Sequence, residues 1–190
     1  MLPIGAGICL SAACGFRTFV PLLCVALASR FGVFTLDAQY GWMASTAGLV
    51  SLGTAAVLEV GGYYIPLVDH LLDVIATPLS LVAGTLVMMT SIGGDHGVLG
   101  WLLSLLVGGG LAGAVQVTTV KARALSTGTT AGLGNPIVAT AELIGASILS
   151  ALAILLPLLA VVVAVALIVS VWRISRWVRA RRGTRVEQIA

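Results

Sequence analysis

The sequence predicts an all-α, polytopic transmembrane helical bundle of about six spans. Three observations predict it. The 190 residues are 59% hydrophobic and 9% charged, where a soluble domain carries about 25% charged residues. The apolar residues come in runs close to the about 20 that a spanning helix needs. The 23 glycines lie inside those runs rather than in polar linkers, which suits close helix approach in lipid. No polar stretch is long enough to bury a core of its own. Residues 1–178 therefore read as a single transmembrane domain, and 179–190 as a basic cytoplasmic tail.

The first expected span covers residues 3–28. Its anomaly is Arg17, near the centre and flanked by Gly15 and Pro21. An arginine at that depth costs about 2.5–3.5 kcal/mol on insertion scales, and about ten apolar residues on each side leave snorkelling only part of the way to water. A kinked or interrupted helix with a paired arginine is expected, the partner being Asp69, Asp73 or Glu59. Cys9, Cys14 and Cys24 lie in the same run, with no CxxC spacing and no histidine near, and read as small buried hydrophobes. The N-terminus has no basic region ahead of its apolar run, so no cleaved signal peptide is expected.

After a polar loop at 30–40, the second span runs 41–60, from Trp42 to Glu59 and Val60. An acidic segment follows, then a short third span at 78–92. Asp95 and His96 sit in a glycine turn and are expected to be polar turn residues rather than metal ligands. The fourth span covers 98–117. Residues 118–135 carry Lys121, Arg123 and many Ser, Thr and Gly, and read as a polar connecting stretch. The apolar run 136–171 would exceed 50 Å as one helix, against a hydrocarbon core of about 30 Å. Splitting it at Pro157 gives a fifth and a sixth span; one long, kinked and tilted helix, giving five spans, is the alternative.

With six spans, Lys121, Arg123 and the C-terminal cluster Arg173, Arg176, Arg179, Arg181, Arg182 and Arg185 share one side, which places both termini in the cytoplasm. The expected setting is a bacterial inner membrane. The net charge of +3 comes from that cluster, which follows an apolar segment and so points to anionic lipid headgroups rather than nucleic acid. The lipid bilayer is the expected partner, a homo-oligomer is left open, and no cofactor is implied.

Residues 41–92 and 98–155 read as two copies of a two-helix unit. Trp42 to Pro78 is 36 positions and Trp101 to Pro136 is 35. Glu59 and Gln116 fall at matching places, as do Thr77-Pro78 and Asn135-Pro136. Thr77 and Asn135 suit N-caps, with Pro78 and Pro136 at first helical positions. Two spans per copy predicts parallel repeats, with broken or re-entrant segments at 61–77 and 120–135 pointing to a binding site. Interfacial placement of those segments is the alternative.

The stretch 63–78 holds the strongest candidate site. Asp69 and Asp73 are four residues apart and share one helix face, with His70 on its flank, between Pro66 and Pro78. Glu142 lies two turns into the helix opened by Pro136. Four acids, Glu59, Asp69, Asp73 and Glu142, then face the single Arg17. Such a set in a low-dielectric bundle is not all ionised at once.

The runs Leu10–Pro21, Leu58-Glu59, Tyr63–Asp69, Leu72-Asp73, Ile75–Pro78 and Gly132–Pro136, in that order, resemble a bacterial integral-membrane family known as a domain of unknown function, number 4126. The resemblance covers the chain to about Pro157. It implies a small polytopic membrane protein and brings no activity or site assignment.

Carboxylates that exchange a proton or cation are what a coupled transporter or small channel needs, and transport is the leading expectation. A membrane scaffold or lipid-binding protein comes second. An intramembrane enzyme holding Mg²⁺ on a lipid diphosphate through Asp69 and Asp73 comes last, since such sites need more carboxylates and basic clamps.

Overall fold

The structure, a computed structural model, describes residues 2–92 and 97–157, with Val162, Val165, Ala166, Val169 and Arg173 beyond them. The described residues form an all-α fold: α1 (Ile4–Cys14), α2 (Phe19–Arg30), a 3-10 segment (Ala38–Ala44), α3 (Thr46–Gly62), α4 (Pro66–Ile92), α5 (Gly97–Ser104), a π-helical turn (Leu105–Gly109), α6 (Gly110–Thr130) and α7 (Asn135–Leu155). α5, the π turn and α6 are one unbroken helix of 34 residues.

Among the described residues, three helices are long and apolar enough to cross a bilayer: Val68–Ile92, Gly97–Thr130 and Asn135–Leu155. A fourth crossing follows if the 3-10 segment and α3, bent by 62°, count as one. The protein is thus a multi-pass membrane protein whose apolar helices contact lipid. The bend falls at Ser45, whose backbone is extended and whose Oγ accepts from the Gly48 N–H at 3.0 Å, as an N-cap does.

Contacts fix the helix directions. Asp73, Leu81 and Gly84 of α4 meet Arg123, Gly113 and Gly108, so α4 and the 97–130 helix are antiparallel. α6 turns into α7 over 131–134, with left-handed backbone at Ala131 (φ 52°) and Gly132 (φ 87°). Arg123 and Thr127 then meet Glu142 and Asn135, and α7 runs parallel to α4. Both start at the end that carries the 131–134 turn, the lower end.

Residues 3–28 are not a span. α1 descends along α4: Gly7 packs on Met88 and Ser91, and the Ser11 hydroxyl donates to the Gly84 carbonyl at 2.9 Å. α2 climbs back along α7: Arg17 sits at Ala139 and Cys24 against Ser150. The arms have 11 and 12 residues, about 16–18 Å each and roughly half a bilayer core. The interruption expected at Arg17 is there, but the chain reverses at it. The reversal is possible because Glu59 binds the N–H groups of Thr18 and Phe19 that the break would orphan.

Three further expectations are corrected. No helix starts at Pro78: α4 begins at Pro66 and runs through Pro78, with the Thr77 hydroxyl bonded to the Asp73 carbonyl at 2.8 Å instead of capping. Proline is tolerated in such helices when neighbouring hydroxyls and packing restore polar contacts. The correspondence of Pro78 with Pro136 in the repeat is therefore lost, as is a broken segment over 61–77. Residues 118–130 are helix, not a polar loop, because Gln116, Thr119 and Arg123 are buried along one face. Asn135 is the first residue of α7, with Pro136 in its first turn, and its side chain turns inward rather than capping. α7 ends at Leu155, in line with the break expected at Pro157. Most of the sixth span at 157–171, the C-terminal arginines after Arg173 and the Asp95-His96 turn lie outside the described residues.

The helices meet over small side chains. Gly84 and Gly108 lie backbone to backbone, beside Ala112, and α1 presses on the same crossing through Ser11. This is the close approach that drives helix association in lipid. A Cβ on Gly84 would fall 2.5 Å from the Gly108 carbonyl oxygen and 2.6 Å from the Ala112 Cβ. Gly84→Val is expected to lose about 1–3 kcal/mol by overpacking. Gly53→Ala, with nothing within 4 Å, is expected to be neutral or to gain up to about 1 kcal/mol. Unfolding of both variants in detergent measures the difference.

Candidate functional site

The lower third of the bundle gathers the buried charge. Asp69 and Asp73 occupy the first two turns of α4, on one face as their spacing predicts, and both are buried. Arg123, two turns from the end of α6, is 2% exposed. Its Nη1 donates to Asp73 Oδ1 at 2.5 Å and its Nη2 to Glu142 Oε2 of α7. Arg17, at the tip between α1 and α2, is 1% exposed. Its Nη2 donates to the Ala139 carbonyl at 2.7 Å and lies 3.6 Å from Glu142 Oε2. Tyr63, just after α3, sets its ring against both guanidinium groups, 3.7 Å from Arg123 Cζ and 4.0 Å from Arg17 Cζ. Cation–π contact of this kind strengthens when desolvated.

Two carboxylates flank this line. Glu59, in the last turn of α3, accepts from the Thr18 N–H at 2.7 Å and the Phe19 N–H at 3.0 Å. Negative charge there also meets the positive end of α2. Asp69 Oδ2 accepts from Asn135 Nδ2 at 2.8 Å, and the same amide reaches Thr127 Oγ1 at 3.0 Å. His70 is 60% exposed at its side chain, with Nδ1 3.6 Å from Asp69 Oδ1. Outside the cluster, Tyr64 and Thr140 join their hydroxyls at 2.9 Å.

Several buried polar atoms here have no hydrogen-bond partner: Arg17 Nε and Nη1, Arg123 Nε, Glu142 Oε1 and Asp69 Oδ1. Buried polar groups are normally satisfied, so these atoms keep the capacity for further hydrogen bonds. No group of three His, Cys, Asp or Glu among the described residues converges as a metal site. Asp73 is engaged by Arg123, which removes one half of the Asp69–Asp73 pair from metal binding.

The structure brings Arg17, Glu59, Asp69, Asp73 and Glu142 into one region and leaves His70 at its rim. Arg17 is held inside the bundle as expected, but its carboxylate partner is Glu142. Asp69, Asp73 and Glu59 are not its partners, because the α1–α2 reversal sets Arg17 against α7 while Arg123 already holds Asp73. Pro66 and Pro136 open α4 and α7, whereas Thr77 and Pro78 stand away from any helix end. Sequence reasoning missed Arg123, Tyr63 and Thr127. The signal for Arg123 was present: Ala112, Gln116, Thr119 and Arg123 recur at intervals of three and four, a helical face.

Arg123→Ala is expected to lose about 3–5 kcal/mol, since it leaves Asp73 buried without its cation and Glu142 with Arg17 alone. Arg123→Lys is expected to fall between, because a point charge cannot bridge both as a planar fork does. Glu59→Gln should cost about 0.5–2 kcal/mol by weakening the cap on α2. Unfolding in detergent measures all three, and an Arg123→Ala variant as stable as the parent would remove the pairing argument.

A family model described as Domain of unknown function (DUF4126) matches residues 4–177. No curated protein and no solved structure matches the chain.

Proposed function

The chain belongs to the DUF4126 family, which carries no activity with it, and from the buried cluster we propose a small membrane transporter or channel that couples a small solute or ion to a proton. One observation carries this reading: four acids and two arginines meet at the tip of a helical hairpin inside the bundle, with unpaired donors and acceptors among them. Two carboxylates exceed the available cations, so the cluster holds protons or cations that can exchange. Glu142 is the pivot, since it faces both Arg17 and Arg123. Protonating it weakens the hold on the hairpin tip and on α6 together, a change that moves two elements at once.

The reading includes an orientation. Lys121 and the C-terminal arginines assign the lower end to the cytoplasm by the positive-inside rule, provided 157–171 crosses. The N-terminus then lies outside, because residues 3–28 enter and return. A bacterial inner membrane remains the setting proposed, and the protein is not proposed as an enzyme.

A second reading, a non-transporting scaffold, has its own support: the same ion pairs tie together α4, α6, α7 and the α1–α2 tip. The two part in liposomes. Purified protein in phosphatidylethanolamine–phosphatidylglycerol vesicles, with an entrapped pH dye and a panel of amino acids, sugars and inorganic cations outside, should move protons well above empty vesicles. Glu142→Gln should lower that flux at least tenfold. Flux equal to empty vesicles across the panel, or an undiminished Glu142→Gln, would return the protein to the scaffold class.

A further inference from the structure

We propose that Arg17 and Glu142 form a binding site for a zwitterion, a molecule with one anionic and one ammonium group. The anionic group takes the free N–H groups of Arg17 and the ammonium takes the free oxygen of Glu142. The inference deepens the transport reading by naming its solute class, and rests on that reading for its purpose, though not for its test.

Of the three arginine–carboxylate pairs in the cluster, that between Arg17 and Glu142 is the open one. Arg17 Nη2 stands 3.6 Å from Glu142 Oε2, where a closed pair lies at about 2.7–2.9 Å. Arg123 bonds directly to Asp73 and to that same Oε2, and Arg17 gives its Nη2 to the Ala139 carbonyl. Arg17 Nε and Nη1 and Glu142 Oε1 are buried and have no hydrogen bond among the described residues. The two residues are 1% and 5% exposed. Free donors on a cation thus stand beside a free acceptor on an anion. The place is also close to the outer surface. Tyr63 and Ala139, which both touch Arg17, are each followed by an exposed residue, Tyr64 and Thr140, joined to each other by one hydrogen bond.

Charge selects the guest. Arg17, Arg123, Asp73 and Glu142 supply two cations and two carboxylates in mutual contact, and these balance. Glu59 is bonded to the N–H groups that open α2 and Asp69 to the Asn135 amide, so neither closes on Arg17. A lone anion or a lone cation entering between Arg17 and Glu142 would leave an uncompensated charge in the interior, which is costly. A zwitterion leaves none. It replaces one open pair by charge-assisted hydrogen bonds at both ends, each about twice as strong as a neutral one. A neutral polar solute would meet the same atoms without that gain. The anionic group is a carboxylate or a phosphate. The carrier is a free amino-acid-like solute or the headgroup of phosphatidylethanolamine, which share this chemistry.

Thermal unfolding of the full chain in detergent tests this. Glycine, β-alanine, 4-aminobutyrate and phosphoethanolamine are the free probes, with propionate and ethylamine as the separate halves at equal ionic strength. Dihexanoylphosphatidylethanolamine is the lipid probe and dihexanoylphosphatidylglycerol its anionic control. At ten times its dissociation constant a bound zwitterion should raise the midpoint by about 2–4 °C, and neither half should raise it at the same concentration. A shift from a free zwitterion supports a soluble ligand, and a shift from the phosphatidylethanolamine alone supports the lipid as its source. No shift from any zwitterion overturns the proposal, as does an equal shift from propionate, ethylamine or the phosphatidylglycerol. Glu142→Gln keeps the side chain's shape and should weaken binding of the zwitterion about tenfold or more. Lys121→Gln, on the exposed side of α6, should leave it unchanged. Equal loss in both variants, or in neither, overturns the placement, and the comparison of a zwitterion with its halves on the parent protein stands without either variant. Binding needs no transport, so a zwitterion-specific shift with no vesicle flux would remove the transport reading alone.

Discussion

Arg123 bridging Asp73 and Glu142 is the contact on which the rest of the lower bundle depends. It ties α4 to α7 through α6, and Glu142 passes the tie to Arg17 at the tip of the first hairpin. Without a cation in that place, two parallel helices would face each other with buried carboxylates and no reason to approach. Desolvating such ions costs several kcal/mol each, and only close geometry with further hydrogen bonds offsets it. Tyr63 contributes an apolar face with a polarised ring where bare hydrocarbon would leave both guanidinium groups unsupported.

The upper part of the bundle works by the opposite chemistry. Where α1, α4 and the long helix cross, Ser11, Gly84, Gly108 and Ala112 bring backbones together. Lipid supplies no hydrophobic drive for helices to leave it, so contact area and a few hydrogen bonds carry that association. A tightly crossed upper region thus holds the helices in place above a charged lower region that leaves several donors and acceptors unpaired.

Composition and run lengths made the all-α membrane class legible, and the i, i+4 spacing put Asp69 and Asp73 on one buried face. The break at Arg17 was legible too, from Gly15, Pro21 and the price of a mid-run arginine. Its sense was not, because whether a broken helix continues or reverses depends on where Glu59, more than 40 residues away in sequence, meets the freed N–H groups. Proline punctuation misled at Pro78: local propensity favours a helix start there, whereas tertiary packing carries α4 straight through. Arg123 was hidden by the polar look of its surroundings, since Thr and Ser in a membrane helix satisfy themselves on the carbonyl four residues back, as Thr118 and Thr129 do.

The π turn at Leu105–Gly109 sets the phase of the long helix. Its inward positions are Gly100, Ser104, Gly108, Ala112 and Gln116, spaced by four. In a regular α-helix of about 100° per residue, sixteen residues at that spacing would carry the inward stripe about 160° around the axis, onto the lipid side. A π turn accommodates one extra residue, which cuts that drift to about 60°. Gly100 and Ser104 above the turn and Ala112, Gln116 and Arg123 below it can then face the same interior because the helix is locally unwound between them. Deleting a single residue there would act like slipping one tooth on a shaft, leaving every side chain intact while turning one half of the helix against the other.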